Sequence, residues 1–395
     1  MERPHVAIIG AGPAGLMAAW ELAPQAEVEV HEHGKAIARK FLVAGQGGFN
    51  LTNSVDGAPL KAHYAPTGFL DAAIEAFGSQ ALRDRLADVG IPTHVGSSGR
   101  VFPDKGIKPI TVLNALQERL LALGVRFRTG SAFVGFDEQA RPLMEEEGVR
   151  RTIEADAVFF ALGGASWPVT GSTGNWLRHF EAIGVRTRPW QPSNCGVEIP
   201  WPVPFAQAHA GKPLKNIRIT VGDRSVRGEA SITVHGLEGN GIYPVVPALR
   251  EALAASGSAQ LTIDLKPDLT AQQLLGKLVH VDRKDFASAL HLDRPSTALL
   301  KAFTTKEEFF DPQLLAGAVK ALRLPVTGLR PLEEAISSVG GIPVEALSPD
   351  FSLKSHPRLF TLGEMVDWDA PTGGFLLQGC FAMGHHAARA FLARR

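Results

Sequence analysis

The first fifteen residues contain the pattern that most constrains this fold. An apolar run from His5 to Ile9 is followed by Gly10-x-Gly12-x-x-Gly15 and then by a segment with helical composition. The first glycine permits a tight turn, the second lets the backbone approach a pyrophosphate, and the third lets the helix lie close to the strand. The pattern predicts a dinucleotide site at the end of a buried strand.

The next apolar segment supports the same interpretation because it ends on an acid. It runs Glu27-Val-Glu-Val-His-Glu32 and places a carboxylate about twenty residues after Gly12, a spacing that suits a ribose hydroxyl. The negative charge argues against a ribose 2′-phosphate, since two anions repel. A glycine-rich turn that binds nothing is the competing interpretation, and the strand-turn-helix-strand context makes it the weaker one.

The size and composition of the chain predict a globular protein with more than one domain. Its 395 residues are 45% hydrophobic and 20% charged. The 40 Lys and Arg residues balance 40 Asp and Glu, which disfavours a protein built for nonspecific nucleic-acid binding. Two cysteines, Cys195 and Cys380, are too few for a disulfide scaffold, and no apolar run is long enough for a membrane span or a signal peptide. We therefore expect a cytoplasmic protein with no membrane partner.

The order of the predicted elements places a second domain inside the first. The Rossmann-like sequence pattern of the N-terminal region returns from Arg358 onward. Between the two regions, short strand-like segments follow Pro192, and residues 270–322 have helical periodicity. The sequence predicts an α/β fold, with a Rossmann-like domain that carries an inserted β-barrel-like domain and a helical subdomain. The expected boundaries are 1–190 with 335–395 for the Rossmann-like domain, 191–269 with 323–334 for the β domain, and 270–322 for the helical subdomain.

A second glycine cluster near the C-terminus points to a flavin. Gly373-Gly374-Phe375-Leu376 stands where a final helix would begin. Backbone N–H groups at a helix N-terminus stabilise the negative charge that the pyrimidine edge of a flavin gains on reduction. A terminal helix that only packs is the alternative. Together with the first glycine motif, the cluster predicts FAD bound in the Rossmann-like domain.

Several ordered motifs, which span nearly the whole chain, resemble one family. They are Arg39-Lys-Phe-Leu-Val-Ala-Gly-Gln-Gly-Gly-Phe-Asn-Leu-Thr-Asn53, Gly99-Arg-Val-Phe-Pro103, Ala161-Leu-Gly-Gly-Ala-Ser166, Ser338-Val-Gly-Gly341 and Gly363-Glu-Met-Val-Asp-Trp-Asp-Ala-Pro-Thr-Gly-Gly-Phe-Leu-Leu-Gln378. The pattern resembles the BaiN/YhiN-type flavoproteins, also known as aminoacetone-oxidase-like FAD-binding enzymes. Many members have Arg-Cys where this chain has Gly48-Phe49, and Tyr-Asn where it has Phe375-Leu376. The chain therefore looks like a divergent branch.

The resemblance implies a set of FAD contacts. These are Gly10, Gly12, Pro13, Ala14, Gly15, His31, Glu32, Arg39, Lys40, Gly45, Asn50, Thr52, Val134, Ala161, Gly163, Gly363, Glu364, Asp367, Gly373, Gly374, Phe375 and Leu376. It implies that Lys40 neutralises phosphate and that Val134 reaches the adenine through its backbone. Asp367 is expected near the ribityl chain.

These observations favour an FAD-dependent oxidoreductase whose substrate is an unidentified small molecule. No second Gly-x-Gly-x-x-Gly follows a strand, so NAD(P)H is expected to act as a transient electron donor at most. The sequence assigns no catalytic residue. We expect a substrate pocket between the Rossmann-like domain and the insertion, near Arg100, Phe102, Asn194, Cys195 and Tyr243.

Other chemistries find less support. His385-His386 lacks a third ligand at a suitable spacing, so no metal site is expected, and Ser166 and Ser172 lack a nucleophile elbow. A basic set on the insertion is compatible with a solvated strand face or with an RNA backbone; it comprises His209, Lys212, Lys215, Arg218, Arg224 and Arg227. The resemblance also admits reduction of a uracil base in structured RNA. A flavin-binding regulatory module without turnover is the third alternative.

Overall fold

The protein is described here by a computed structural model that defines residues 2–43 and 48–395. The chain divides into two compact units, of which one comprises Met1–Gln191 with Ser337–Arg395 and the other Pro192–Ile336. The first unit is therefore interrupted in sequence by the second. The helices of 270–322 belong to the second unit, and their separation as a subdomain stays a prediction.

The part of the chain before the insertion contains both strands and helices. The strands are β1 (His5–Ile9), β2 (Glu27–Glu32), β3 (Thr52–Asn53), β4 (Thr93–Val95), β5 (Arg100–Pro103), β6 (Arg126–Thr129), β7 (Ala132–Phe136), β8 (Pro142–Glu146), β9 (Val149–Thr152), β10 (Ala157–Phe160) and β11 (Arg188–Ser193). The helices are α1 (Pro13–Leu22), α2 (Arg39–Val43), α3 (Gly57–Lys61), α4 (Asp71–Ala76), α5 (Ser79–Ala87), α6 (Pro109–Ala122) and α7 (Leu177–Ala182).

The second unit places its helices around longer antiparallel strands. In chain order its elements are β12 (Val197–Glu198), α8 (Val203–His209), β13 (Pro213–Val221), β14 (Arg224–Ile232), β15 (Gly236–Glu238), α9 (Val246–Ser256), β16 (Ala259–Asp264), α10 (Ala271–Leu278), α11 (Phe286–Ala289), α12 (Arg294–Phe303), α13 (Lys306–Phe310), α14 (Pro312–Lys320), β17 (Leu322–Val326) and β18 (Gly328–Leu329). Local chemistry explains where the helices begin. Thr270 and Gln273 form a capping box at α10, and Thr305 and Glu308 form one at α13.

The strands of the second unit form a curled sheet. Within the described residues its order is β17-β16-β13-β14-β15-β12-β18, with antiparallel pairing. The two edge strands are consecutive in the chain, because β17 ends at Val326 and β18 begins at Gly328. Neighbouring Cα atoms lie about 3.8 Å apart, so the edges must come together and the sheet bends towards a barrel. The expected β-barrel-like insertion is confirmed.

The chain returns to the first unit with β19 (Ser337–Pro343), β20 (Leu359–Thr361), β21 (Val366–Asp367) and α15 (Phe375–Ala393). Within the described residues the main sheet of this unit has the order β20-β10-β1-β2-β6 and is parallel throughout. Strands β1 and β10 are almost continuously apolar and buried, as expected when helices cover both faces of a parallel sheet. The α/β prediction is confirmed.

Helix α15 lies close to α1, which follows the glycine turn. A Cβ placed on Gly384 would lie 2.3 Å from the carbonyl oxygen of Ala14, so only glycine fits there. Ala382 and Ala387 are fully buried on the same helix. These small residues bring the last helix of the chain against the first, because a larger side chain at the contact would separate the two backbones.

Candidate functional site

The glycines of the first turn have different surroundings. Gly10 has a φ of +106°, and a Cβ there would lie 2.2 Å from the Ala161 carbonyl oxygen; a Cβ on Gly15 would lie 2.1 Å from the Gly10 carbonyl oxygen. Among the described residues, no heavy atom beyond its own neighbours lies within 4 Å of a Cβ built on Gly12. Gly10 and Gly15 are thus required by packing, whereas Gly12 borders open space in which a ligand can approach the backbone.

Helix α1 begins at this open space. Gly12 is its N-cap and Pro13 its first residue. The first N–H groups of a helix have no partner within the helix, and they carry partial positive charge. Proline loses nothing at this position, because its missing N–H would be unpaired in any case. The space beside Gly12 therefore fits an anion such as a pyrophosphate.

The carboxylate of Glu32 is fixed beside the same turn. Its Oε2 accepts a hydrogen bond from the Ala11 N–H at 3.1 Å, and its Oε1 accepts one from the Gly34 N–H at 2.9 Å. His33 Nδ1 lies 2.8 Å from Oε1. Burial raises the pKa of Glu32, but the hydrogen bonds from His33 and the backbone outweigh it and hold the pKa below its usual value. An ionised carboxylate offers about four acceptor positions, so Oε2 has room for a ribose hydroxyl.

The glycine turn and Glu32 form one wall of a pocket within the first unit. The lining residues are Gly10, Ala11, Gly12, Pro13, Ala14, Glu32, His33, Ala38, Arg39, Lys40, Ala161, Leu162, Gly163, Thr170, Gly171, Ser172, Leu362, Gly363, Glu364 and Cys380. The predicted glycines at the ends of β1, β10 and β20 meet here, because the carboxyl ends of parallel strands share one edge. Sequence reasoning missed His33, Cys380 and the segment 170–172, none of which carries a nucleotide motif.

Lys40 and Glu364 meet in the wall of this pocket. The Lys40 ammonium lies 2.7 Å from Glu364 Oε2 and donates to Ser166 Oγ at 2.7 Å. The other oxygen of Glu364 accepts a hydrogen bond from the Ser338 N–H at 2.9 Å. Lys40 is therefore ion-paired before any phosphate arrives, and the pair offers both a cation and a carboxylate to a polar ligand.

The second glycine cluster is held against strand β3. Gly374 is the N-cap of α15 with a φ of +96°, and a Cβ there would lie 2.4 Å from the Thr52 carbonyl oxygen. Thr52 is buried and donates to Gln378 Oε1 at 2.7 Å, while Asn53 Nδ2 donates to the Gly373 carbonyl at 3.3 Å. These contacts fix where α15 begins. Its first N–H groups are therefore a rigid set of donors.

Adjacent residues on β2 face opposite sides of the sheet. Because Glu32 faces the pocket, His31 faces away from it, where its Nδ1 lies 2.9 Å from Ser131 Oγ. Burial lowers the pKa of His31. The backbone carbonyl of His31 accepts a hydrogen bond from the Gly10 N–H at 2.8 Å, so this residue supports the turn. Val134 is half-buried on β7, where the register against β8 shifts.

Several other predicted FAD contacts lie away from the pocket lining described above. Asp367 accepts a hydrogen bond from the Gly340 N–H at 2.8 Å and pairs with Arg188 at 2.6 Å. Asn50 is half-buried in the segment before β3. Gly45 lies outside the described residues. These contacts, like those of Gly373, Gly374, Phe375 and Leu376, stay predictions.

The residues of the expected substrate pocket are distributed over both units. Arg100 and Phe102 lie on β5 of the first unit, and both are half-buried. Asn194 and Cys195 are buried in the second unit, where Tyr243 is half-buried. Burial raises the pKa of the Tyr243 hydroxyl. A pocket that combines all of them stays a prediction.

Three further titratable groups lie on α15. Burial raises the pKa of the Cys380 thiol to about 12, so this pocket residue is a neutral thiol. His385 Nδ1 lies 3.2 Å from Glu21 Oε1, and His386 Nε2 lies 3.2 Å from the Pro349 carbonyl oxygen. Within residues 2–43 and 48–395, no group of three His, Cys, Asp or Glu side chains is arranged to hold a metal ion.

Comparison with known families assigns nearly the whole chain to one of them. The model of the HI0933-like protein Rossmann domain matches residues 4–390. The chain belongs to the HI0933-like family. The resemblance to BaiN/YhiN-type flavoproteins drawn from the sequence motifs is thereby confirmed, and the chain is an FAD-dependent oxidoreductase.

Two curated relatives of this HI0933-like protein match different shares of its sequence. The chain is 24% identical over 412 residues to the 3-dehydro-bile acid delta(4,6)-reductase of Clostridium scindens, a match that covers 99% of each chain. It is 29% identical over 192 residues to the ribosomal RNA dihydrouridine synthase of Haemophilus influenzae, a match that covers 46% of each. The first match therefore spans nearly the whole of both chains, and the second reaches less than half of either.

The fold also matches a solved enzyme structure. The 3-ketosteroid-delta4-(5alpha)-dehydrogenase of Rhodococcus jostii RHA1, in complex with 4-androstene-3,17-dione, aligns with a TM-score of 0.50 at 14% identity. The alignment covers 98% of this chain and 97% of the dehydrogenase. At this level of identity, the likeness concerns the fold alone. Along the part of the chain that the structure describes, no helix is both long and apolar enough to cross a membrane.

Proposed function

We propose that this HI0933-like protein transfers a hydride between FAD and a small molecule. The observation that carries the proposal is the open space at Gly12, between the N-terminus of α1 and the carboxylate of Glu32. Helix N–H groups for a pyrophosphate and a carboxylate for a ribose are the two groups with which Rossmann-like folds recognise a dinucleotide. When bound, the flavin supplies the hydride chemistry.

The pocket supplies a different group to each part of the cofactor. Glu32 would accept hydrogen bonds from the adenosine ribose, and the N-terminus of α1 would bind the diphosphate. The Lys40–Glu364 pair would orient the polar chain that leads to the flavin. The N–H groups at Gly374 would stabilise negative charge on the pyrimidine edge, because they are fixed before the ligand arrives.

A small-molecule substrate is supported by the relative that matches the whole chain. That relative is a reductase by name, so we propose net reduction of the substrate by this protein as well. Electrons would reach the flavin from NAD(P)H bound transiently. The Rossmann-like motif of β1 and α1 is assigned to FAD, and sequence reasoning found no second motif of that kind for a resident nicotinamide.

Reduction of an RNA base receives less support from the second unit. Arg227, which lies on β14 in the basic set, is ion-paired with Asp268 at 2.7 Å and donates to Asn216 Oδ1 at 2.7 Å. Arg218 on β13 is opposite Asp264 on β16. This strand face therefore carries both signs of charge, whereas phosphate binding favours an uncompensated basic face.

Three measurements test the proposal. Denaturation of the purified protein should release FAD, and release of FMN alone or a failure to take up any flavin would contradict it. The FAD-loaded protein should then be bleached by NADH or NADPH under anaerobic conditions. Reoxidation of the bleached flavin should be followed with 4-androstene-3,17-dione, with a panel of amine-derived imines and with a ribosomal RNA fragment. Reoxidation by the RNA alone would replace the small-molecule proposal.

A further inference from the structure

We propose that Arg100, Phe102 and His94 form a shelf that binds a planar carboxylate of the substrate. The inference rests on the proposed function and deepens it, because it assigns a chemical class to the molecule that meets the flavin. All three residues belong to the small antiparallel sheet β3-β5-β4 of the first unit.

Strand geometry places the shelf on one face of this sheet. Arg100 and Phe102 are two residues apart on β5 and point to the same side, while Val101 between them is buried on the opposite side. The cross-strand partners of Arg100 and Phe102 are Asn53 and His94, which share that face. The Phe102 and His94 rings are stacked, with centroids 5.9 Å apart and an interplanar angle of 27°. A cation thus lies beside a flat aromatic surface.

The guanidinium of Arg100 is available to a ligand as far as residues 2–43 and 48–395 show. Among the described residues it makes no hydrogen bond and no ion pair, although the side chain is half-buried. Its cross-strand neighbour, Asn53, is uncharged, and Asp104 lies 3.2 Å from His94 Nδ1. A half-buried arginine without a counter-ion retains its full set of planar donors, which match the two oxygens of a carboxylate.

The shelf lies beside the second glycine cluster. A Cβ built on Gly373 would lie 3.7 Å from Arg100 Nε and 3.5 Å from the Phe375 ring. Under the proposed function, this cluster begins the helix that meets the pyrimidine edge of the flavin. Arg100 therefore lies close to the end of the cofactor at which a substrate is reduced. A planar carboxylate on the shelf would be held by its charge at Arg100 and by its flat body at Phe102.

The binding test uses benzoate as the probe and benzyl alcohol as its uncharged counterpart. Saturation-transfer NMR on the FAD-loaded protein should show binding of benzoate at millimolar concentration and no binding of benzyl alcohol. Arg100→Gln should weaken benzoate binding by about tenfold or more, as expected when charge-assisted paired hydrogen bonds are lost. Arg100→Lys should retain part of the binding, because it keeps the charge but not the planar fork.

Two further variants test whether benzoate binding depends on the shelf. Arg323→Gln removes an exposed arginine on β17 of the second unit and should leave benzoate binding unchanged. Phe102→Leu should reduce the preference for benzoate over acetate, because it removes the aromatic surface and leaves the charge. Circular dichroism of each variant checks that it is folded.

Several results would overturn the inference. They are the absence of benzoate binding by the wild-type protein, equal binding by Arg100→Gln, and an Arg100→Gln variant whose flavin midpoint potential falls while benzoate binding is unchanged. The last result would assign Arg100 to the flavin and not to the substrate. Benzoate binding needs no turnover, so failure of the shelf is distinguishable from failure of the proposed oxidoreductase activity, which the release and bleaching of FAD test separately.

Discussion

Lys40 and Glu364 are 324 residues apart in the sequence, yet the Lys40 ammonium and a Glu364 carboxylate oxygen lie 2.7 Å apart in the wall of the pocket beside Gly12. Lys40 belongs to α2, and Glu364 follows β20 of the parallel sheet after Leu362 and Gly363. The ion pair therefore connects the N-terminal and C-terminal segments of the first unit at the pocket. Both side chains are partly buried, so loss of one partner leaves the other charge in a poorly solvated place.

A double-mutant cycle on this pair should show strong coupling. Lys40→Gln and Glu364→Gln should each lower the free energy of unfolding by about 1–3 kcal/mol, the range for losing a hydrogen bond to a charged group. The double variant should lose less than the sum, because neither charge is left unpaired. Urea unfolding of the four proteins measures the coupling. Strict additivity of the two single changes would show that the contact is not a stabilising pair.

Glu32→Gln should weaken FAD binding by about 1–3 kcal/mol, because the variant loses a charged acceptor beside the ribose. The matched control is Glu27→Gln, which removes the same charge from the exposed start of the same strand. Titration calorimetry of the apoprotein with FAD measures both. Equal affinities of wild-type and Glu32→Gln protein would mean that this carboxylate serves the turn at Ala11 and not the cofactor.

The His33–Glu32 pair predicts a pH dependence of apoprotein stability. The hydrogen bond to Glu32 raises the pKa of His33 above 6.5, against the opposing effects of burial and of Arg39. The stabilisation is therefore fully present below pH 6.5 and is lost as the pH rises through the raised pKa. His33→Gln should lower the melting temperature most in mildly acidic buffer and have little effect in alkaline buffer. A difference that grows with rising pH would contradict this sign.

Cys380 should be inert towards alkylation in the native protein. With a pKa of about 12, the thiol is ionised in only about one molecule in ten thousand at pH 8. Iodoacetamide followed by peptide mass spectrometry should label Cys380 in guanidinium and leave it unmodified without denaturant. Rapid labelling of Cys380 in the folded state would show that the pocket exposes it as a thiolate.

Short-range patterns predicted the glycine turn and the helix that follows it well. The Gly10-x-Gly12-x-x-Gly15 motif fixes a turn whose geometry depends on residues within a few positions, and α1 spans Pro13–Leu22 as expected. The acid at the end of β2 faces the pocket as its spacing indicated. The His31 side chain lies on the other side of β2, because the alternation of a strand allows only one of two neighbours to face a given side, and its expected contact with FAD stays a prediction.

Long-range contacts could not be predicted from the sequence. Neither Lys40 nor Glu364 carries a local signal for the other, and the lining segment 170–172 has no motif. The amphipathic periodicity from Phe69 to Val89 predicts a helical stretch, whereas the structure has two helices, α4 and α5, separated at Gly78. A Cβ on Gly78 would lie 2.5 Å from an Asp56 carboxylate oxygen, so a tertiary contact explains the break.

The two glycines Gly10 and Gly12 allow the most direct test that the pocket holds FAD. Gly12→Val places a side chain in open space, so the variant should keep the circular dichroism and melting temperature of the wild-type apoprotein and lose FAD binding in calorimetry. Gly10→Ala is the contrasting change, because its Cβ meets the Ala161 carbonyl and should destabilise the fold itself. Folded Gly12→Val protein without FAD, beside wild-type protein with one FAD, is the result we expect. A folded Gly12→Val protein that retains its full complement of FAD would show that the cofactor does not lie at this turn.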